Sequence, residues 1–293
     1  MKPLIGATIV LVVLALSLLL SVLVAQGMTS WIRAPSVVKV YTYKYADTAG
    51  LTTLYVNDTH GAISVSEWSQ NYVYVNATLT RILYPISVNA SVNRVGSTLD
   101  ILVHQPHTPL TFIGYYTLSL DILIPESLHA LVVHAFDVDG SVYLTLKNFT
   151  SVKVYTVNGD IHLKLGSGSS VSASSVNGAI ALTSSTVRAF DLTTVNGGIS
   201  VEFVPTSEGV YRALSTNGDI RVAVPINSSL SVTMTTTNGA LSVNGLQLAN
   251  MSATKNTLTG TLGKGSATLT LSTTNGNILL TSAKSFTVNQ NPR

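Results

Sequence analysis

Cysteine is absent from the 293 residues. Disulfides, thiolate metal sites and cysteine nucleophiles are therefore excluded, and stability has to come from packing and hydrogen bonding. Charge is scarce too: Asp, Glu, Lys and Arg supply 10% of the chain, where about a quarter is usual. The formal net charge is +3 and no Lys/Arg run is interleaved with aromatics, so the footprint of a nucleic-acid binder is missing. Beyond residue 35 no segment carries the apolar period of an amphipathic helix. Serine, threonine and asparagine stand where charge normally covers a surface. That composition suits an exported or cell-surface β protein better than a cytosolic enzyme.

One long apolar run is present. Leu4 to Ala25 carries no charge, and roughly 22 residues at ~1.5 Å each reach about 33 Å, enough for a ~30 Å hydrocarbon core. A cleaved signal would have a shorter apolar stretch and a small-x-small site; Ala25-Gln26-Gly27 is only a fair match. The expectation is an uncleaved signal-anchor over 1–27, single-pass, with Lys2 inside and the body on the extracellular side. Cleavage would make the body secreted instead. Residues 28–37, with Trp31, Arg33 and Pro35, read as a stem.

The second half repeats. Asn-Gly pairs fall at Asn158-Gly159, Asn177-Gly178, Asn196-Gly197, Asn217-Gly218, Asn238-Gly239 and Asn275-Gly276, at intervals of 19, 19, 21, 21 and 37. The residues on either side alternate apolar and polar, as in strands with one buried face. Two residues before each Asn stands a hydroxyl: Thr156, Ser175, Thr194, Ser215, Thr236 and Thr273. A hairpin is the default reading of Asn-Gly. Return of the same register every ~19 residues instead suits one circuit of a solenoid, each rung pairing in parallel with the next. Asp139-Gly140 is a further copy, and Lys255-Asn256 fills the long interval as a degenerate one. Glycine is expected at the turn for positive φ, a conformation Asn256 would also tolerate. Upstream, His60-Gly61 opens a looser match.

The fold class expected is all-β, a single-stranded parallel β-helix of about 19 residues per coil and about eight coils, preceded by one transmembrane helix. Irregular β coils occupy 38–130, the regular solenoid 131–285, and 286–293 form a tail.

The run Gly61 to Val65 followed by Trp68, the pair Ile124-Pro125, and then serial Asn-Gly-x-Ile turns resemble the putative-adhesin β-helix family. That family is a domain of unknown function on bacterial and archaeal surfaces, and the resemblance covers roughly residues 38–285. It implies a parallel β-helix and a cell-surface role, and supplies no catalytic residues.

Candidate chemistry is sparse. Asp137, Asp139 and Asp160 form a weak cation or sugar site at best, because turn aspartates usually serve local backbone hydrogen bonds. His104, His107, His134 and His162 make no ligand set for zinc, and no Gly-x-Ser-x-Gly elbow occurs. No cofactor and no catalysis are expected. Sequons at Asn57, Asn148, Asn227 and Asn250 are candidate glycosylation sites, while Asn76 and Asn89 lie in strand-like runs. The leading functional reading is a membrane-anchored adhesin or envelope component contacting surface glycans or envelope proteins. One alternative is a carbohydrate-active β-helix enzyme using Asp139 and Asp160. Another is a surface subunit that self-assembles through its terminal strand edges.

Overall fold

The computed structural model describes residues 36–82, 89–104 and 115–283. The expected signal-anchor, most of the stem and the tail 286–293 lie outside the described residues. No helix among the described residues is long and apolar enough to cross a membrane.

Among the described residues nineteen strands form one sheet. The first eight are β1 (Ser36–Tyr45), β2 (Thr53–Asn57), β3 (Ile63–Trp68), β4 (Val73–Ile82), β5 (Asn89–Val95), β6 (Thr98–His104), β7 (Tyr115–Pro125) and β8 (Leu131–Phe136). Four long strands follow: β9 (Val142–Thr156), β10 (Ile161–Asn177), β11 (Ile180–Asn196) and β12 (Ile199–Asn217). The remainder are β13 (Ile220–Val224), β14 (Leu230–Asn238), β15 (Leu241–Asn244), β16 (Ala249–Ala253), β17 (Thr257–Leu262), β18 (Ala267–Asn275) and β19 (Ile278–Ser282).

The long strands show how the repeat folds. In β10, Ile161, Leu163 and Leu165 point inward along a first leg, and Val171, Ala173 and Ser175 along a second. A corner joins the legs, and Asn177-Gly178 starts the next coil. Each long strand pairs in parallel with the next at the repeat offset, Ile161 with Ile180 and Asn177 with Asn196. The two 21-residue intervals keep the legs in register and place their extra residues at the corner. Between β11 and β12 the register shifts around Val187 and Pro205. There the buried Tyr211 hydroxyl donates to the Val187 carbonyl at 2.8 Å and accepts from the Thr206 N–H at 2.8 Å. Phe190, Phe203 and Tyr211 pack ring to ring inside that corner, with centroids 4.5–5.1 Å apart.

Stacking sets up two apolar columns. The leg after the turn contributes Leu120, Ile63, Val142, Ile161, Ile180, Ile199, Ile220, Ile278 and Leu241, in that order. The leg before it contributes Leu99, Leu54, Val133, Val152, Val171, Phe190, Tyr211, Leu269 and Val232. Apart from Leu241, all of these are buried in one continuous core.

The order of layers departs from chain order at both ends. The layer of β2 and β3 lies between that of β6 and β7 and that of β8 and β9. At the other end β18 and β19 lie between β12/β13 and β14/β15. The segment expected to hold a degenerate rung is no rung. Ala249–Ala253 is β16, which pairs antiparallel with β17, and β17 pairs antiparallel with β14. The 37-residue interval thus contains a cap and a return, not a missing coil. Antiparallel strands also border the first layer, β4 on β7 with β1 beyond it, and β5 on β6.

The role expected of the turn glycines also changes. None of the glycines in the six Asn-Gly turns has positive φ. They are required because the layers touch: a β-carbon on Gly159, Gly178, Gly197, Gly218, Gly239 or Gly276 would collide with the carbonyl of the glycine stacked beside it. A seventh pair, Asn244-Gly245, marks no rung. It ends β15, and its glycine does take φ +69.

Candidate interaction surface

The turns line up along one edge and carry three parallel sets of hydrogen bonds. Outermost is an asparagine ladder. Asn158 Nδ2 donates to Asp139 Oδ1 at 2.6 Å. Asn177 donates to Asn158, Asn196 to Asn177, Asn217 to Asn196, Asn275 to Asn217 and Asn238 to Asn275, all side chain to side chain at 2.8–2.9 Å. Every donor points the same way along the stack. Asp139 closes the series, and its Oδ2 lies 2.8 Å from His60 Nδ1.

These asparagines are exposed. Each side-chain amide has two N–H donors and a carbonyl with two lone pairs. An interior Asn spends one donor and one lone pair on its neighbours, leaving one of each facing outward. Layers in a sheet recur at ~4.8 Å, so the edge presents identical donor–acceptor pairs at that spacing.

Beneath the ladder runs a buried hydroxyl column. Thr156, Ser175, Thr194, Ser215, Thr273 and Thr236 each donate to a turn-glycine carbonyl one layer away, respectively Gly140, Gly159, Gly178, Gly197, Gly218 and Gly276, at 2.8–3.0 Å. By register Asp137 and then Asp58 extend this column toward the first layer. Both are 1% exposed. Asp137 Oδ1 accepts the Val138 N–H at 2.6 Å and Asp58 Oδ1 the Thr59 N–H at 2.7 Å. Burial, and next the negative charge of Asp58, push the Asp137 carboxyl up to about 7.

A third set lies just past the glycines. Asp160 Oδ1 accepts the Ala179 N–H at 2.7 Å, Asp219 Oδ1 the Asn277 N–H at 2.7 Å, and Asn277 Oδ1 the Ala240 N–H at 2.9 Å. These side chains tie one layer to the next.

The three candidate aspartates therefore belong to three different hydrogen-bond sets. Asp137 is in the buried column, Asp139 ends the ladder, and Asp160 belongs to the set past the turn. Asp139 stacks on Asn158, so the proposed Asp139–Asp160 pair occupies two different columns. Among the described residues no group of three or more His, Cys, Asp or Glu side chains could hold a metal ion.

His162 and His134 point outward as expected, against neighbouring rings. The His162 ring stacks on Tyr143 at 4.9 Å and 6°. His134 lies 6.3 Å from Tyr55 and 6.2 Å from Phe136. Partial burial, followed by the charge of Lys153, lowers the His134 pKa from its ordinary value. His107 lies outside the described residues. The four favoured sequon asparagines, Asn57, Asn148, Asn227 and Asn250, are all exposed, whereas Asn76 is half-buried in β4.

The sequence reading missed Asp58 and Asp137 as members of the hydroxyl column. The signal was present, since each stands two residues before a turn position, His60 and Asp139.

Residues 38–281 match the family model described as Toastrack DUF4097. Two solved structures resemble the chain. A "putative cell adhesion protein" from Clostridium sporogenes is 10% identical, with a TM-score of 0.37, covering 85% of this chain and 100% of its own. A "putative adhesin" from Bacteroides fragilis is 12% identical, with a TM-score of 0.39, covering 84% of this chain and 97% of its own. No curated protein matches.

Proposed function

The chain belongs to the Toastrack DUF4097 family, and from that premise we propose that it is a membrane-anchored extracellular protein acting by contact, as an adhesin or envelope component, without catalysis. The asparagine ladder carries this reading. Its outward donor–acceptor pairs repeat at layer spacing, which suits many weak, simultaneous hydrogen bonds to a regularly hydroxylated polymer such as a surface glycan. The Leu4 to Ala25 run supplies the anchor. Asp160 and Asp219 each accept a backbone N–H of a neighbouring layer and Asp139 pairs with His60, which counts against their use as an acid–base pair in glycan cleavage.

The test is retention of the detergent-purified protein on immobilised envelope polysaccharide. Asn177→Ser with Asn196→Ser should weaken retention several-fold while the fold stays intact. Unchanged retention would remove the ladder from the contact. Release of sugar fragments that depends on Asp139 and Asp160 would replace this reading with the enzymatic one.

A second reading rests on β15. Among the described residues it pairs on one side only, with β19, and Leu241 and Val243 are only partly buried. Such an edge fits a subunit that assembles end to end. Particles larger than a monomer, reverting to monomers when Val243 becomes Lys, would support it; a uniformly monomeric protein would count against it.

A further inference from the structure

Asp137 occupies a place that six other layers fill with a hydroxyl. In each of those layers the O–H donates to the glycine carbonyl stacked beneath the next turn. For Asp137 the equivalent acceptor is Gly61, because Gly140 stacks on Gly61 as Gly159 stacks on Gly140. The space a β-carbon would take at Gly140 is bounded by the Gly61 carbonyl oxygen and by Asp137 Oδ2 together. Oδ2 is buried and meets no hydrogen-bond donor.

An ionised Asp137 would hold a bare oxygen against a carbonyl oxygen, with a second buried carboxylate one layer away. Buried charge without a donor is strongly unfavourable. A carboxylic acid has the O–H that the position calls for.

We propose that Asp137 is a proton-binding site: in the folded protein its carboxyl is held in the neutral form, donates from Oδ2 to the Gly61 carbonyl, and on losing that proton loosens the layers on either side. The groups facing it are Asp58 from the bend between β2 and β3, Asp139 from its own bend with His60 beside that residue, and Thr156 from β9. Thr156 directs its hydroxyl to Gly140, away from Asp137. Oδ2 itself has no hydrogen-bond partner, and a proton on this oxygen supplies the missing donor toward Gly61. This goes beyond the contact function and holds whether or not that function does.

The direction of the linkage follows from the raised pKa of Asp137. The ordinary value is 3.8 and the folded value about 7, so the folded state holds the proton across that window and the unfolded state does not. The stabilisation is complete below the ordinary value and is lost as the pH rises through about 7. Between about pH 5 and about pH 8 the wild-type melting temperature should fall by about 5–10 °C more than that of D137N. In D137N the amide supplies a permanent donor. D137T, which restores the hydroxyl of the other layers, should behave likewise.

The quantity read is the difference between wild type and variant, which cancels the groups common to both. Infrared spectra of the full-length wild type should show a carboxylic-acid carbonyl band that disappears near neutral pH and is absent from D137N. If D137N and D137T do not fold, D58N takes their place, and its band should disappear at higher acidity than in wild type. Equal pH dependence in wild type and variant, or no such band, would overturn the assignment. A melting temperature at about pH 8 that rises with calcium and falls with chelator would also overturn it, since a cation and not a proton would then sit between the carboxylates.

Discussion

Gly178 sits on Gly159 so closely that the Gly159 carbonyl oxygen already occupies the place of a β-carbon at 178. The same relationship recurs along the edge, and it separates two kinds of glycine. Gly178→Ala must push whole layers apart and should cost on the order of 3–5 kcal/mol. Gly96 has φ +62 and open space around it, so Gly96→Ala should cost only about 1 kcal/mol, through backbone strain. Paired denaturant titrations of the two variants test the contrast.

The asparagine ladder is exposed, so its bonds are individually modest. Asn196→Ala removes one bond to Asn177 and one from Asn217 and should destabilise by about 1–2 kcal/mol. Loss of amide protection should be greatest in β11 and its two neighbours. An effect spread evenly over the array would show that the ladder does not act layer by layer.

The hydroxyl column is buried and less forgiving. Thr194→Val keeps the shape but leaves the Gly178 carbonyl without its 2.8 Å partner, at a cost of about 1–3 kcal/mol. Thr194→Ser restores the donor, and Ser175 and Ser215 already serve in the same column. Thermal melts should rank wild type and T194S together, with T194V well below.

Removing β18 and β19 should do more than shorten the protein. These strands lie between β12/β13 and β14/β15, so a chain ending after Lys264 leaves each flanking layer without its partner on that side. Hydrogen exchange should show β14 and β17 unprotected in that truncation, with β9 to β11 still protected. Retention of protection in β14 would mean that it can pair directly with β12.

The middle of the array was legible because stack neighbours there are also chain neighbours. Ile161, Ile180 and Ile199 follow one another in both senses, so the Asn-Gly spacing gave strand, register and inward face together. The ends were not legible for the same reason in reverse. Asn238-Gly239 and Asn275-Gly276 are interchangeable as local signals, and either order fills the apolar columns equally well. Only the antiparallel return through β16 and β17 decides it, and its alternation looks like that of a rung. The role of the turn glycines was hidden differently. Positive φ is a local property, but the crowding of Gly178 against Gly159 exists only once two coils are stacked. Asp137 was visible as a turn residue, yet its burial depends on the layer that β2 and β3 place beside it.

The ladder also has a direction. Six amide groups are aligned head to tail with their N–H ends toward Asp139, so their dipoles add as those of a helix do, with the positive pole at that end. The one carboxylate in the series stands at that pole, where an anion is favoured. At every other step an acid would turn a bare oxygen toward the oxygen of its neighbour. Asn-to-Asp conversion by ageing is thus compatible with the series only where the chain already encodes aspartate, and each such event further along would divide one long dipole into two shorter ones.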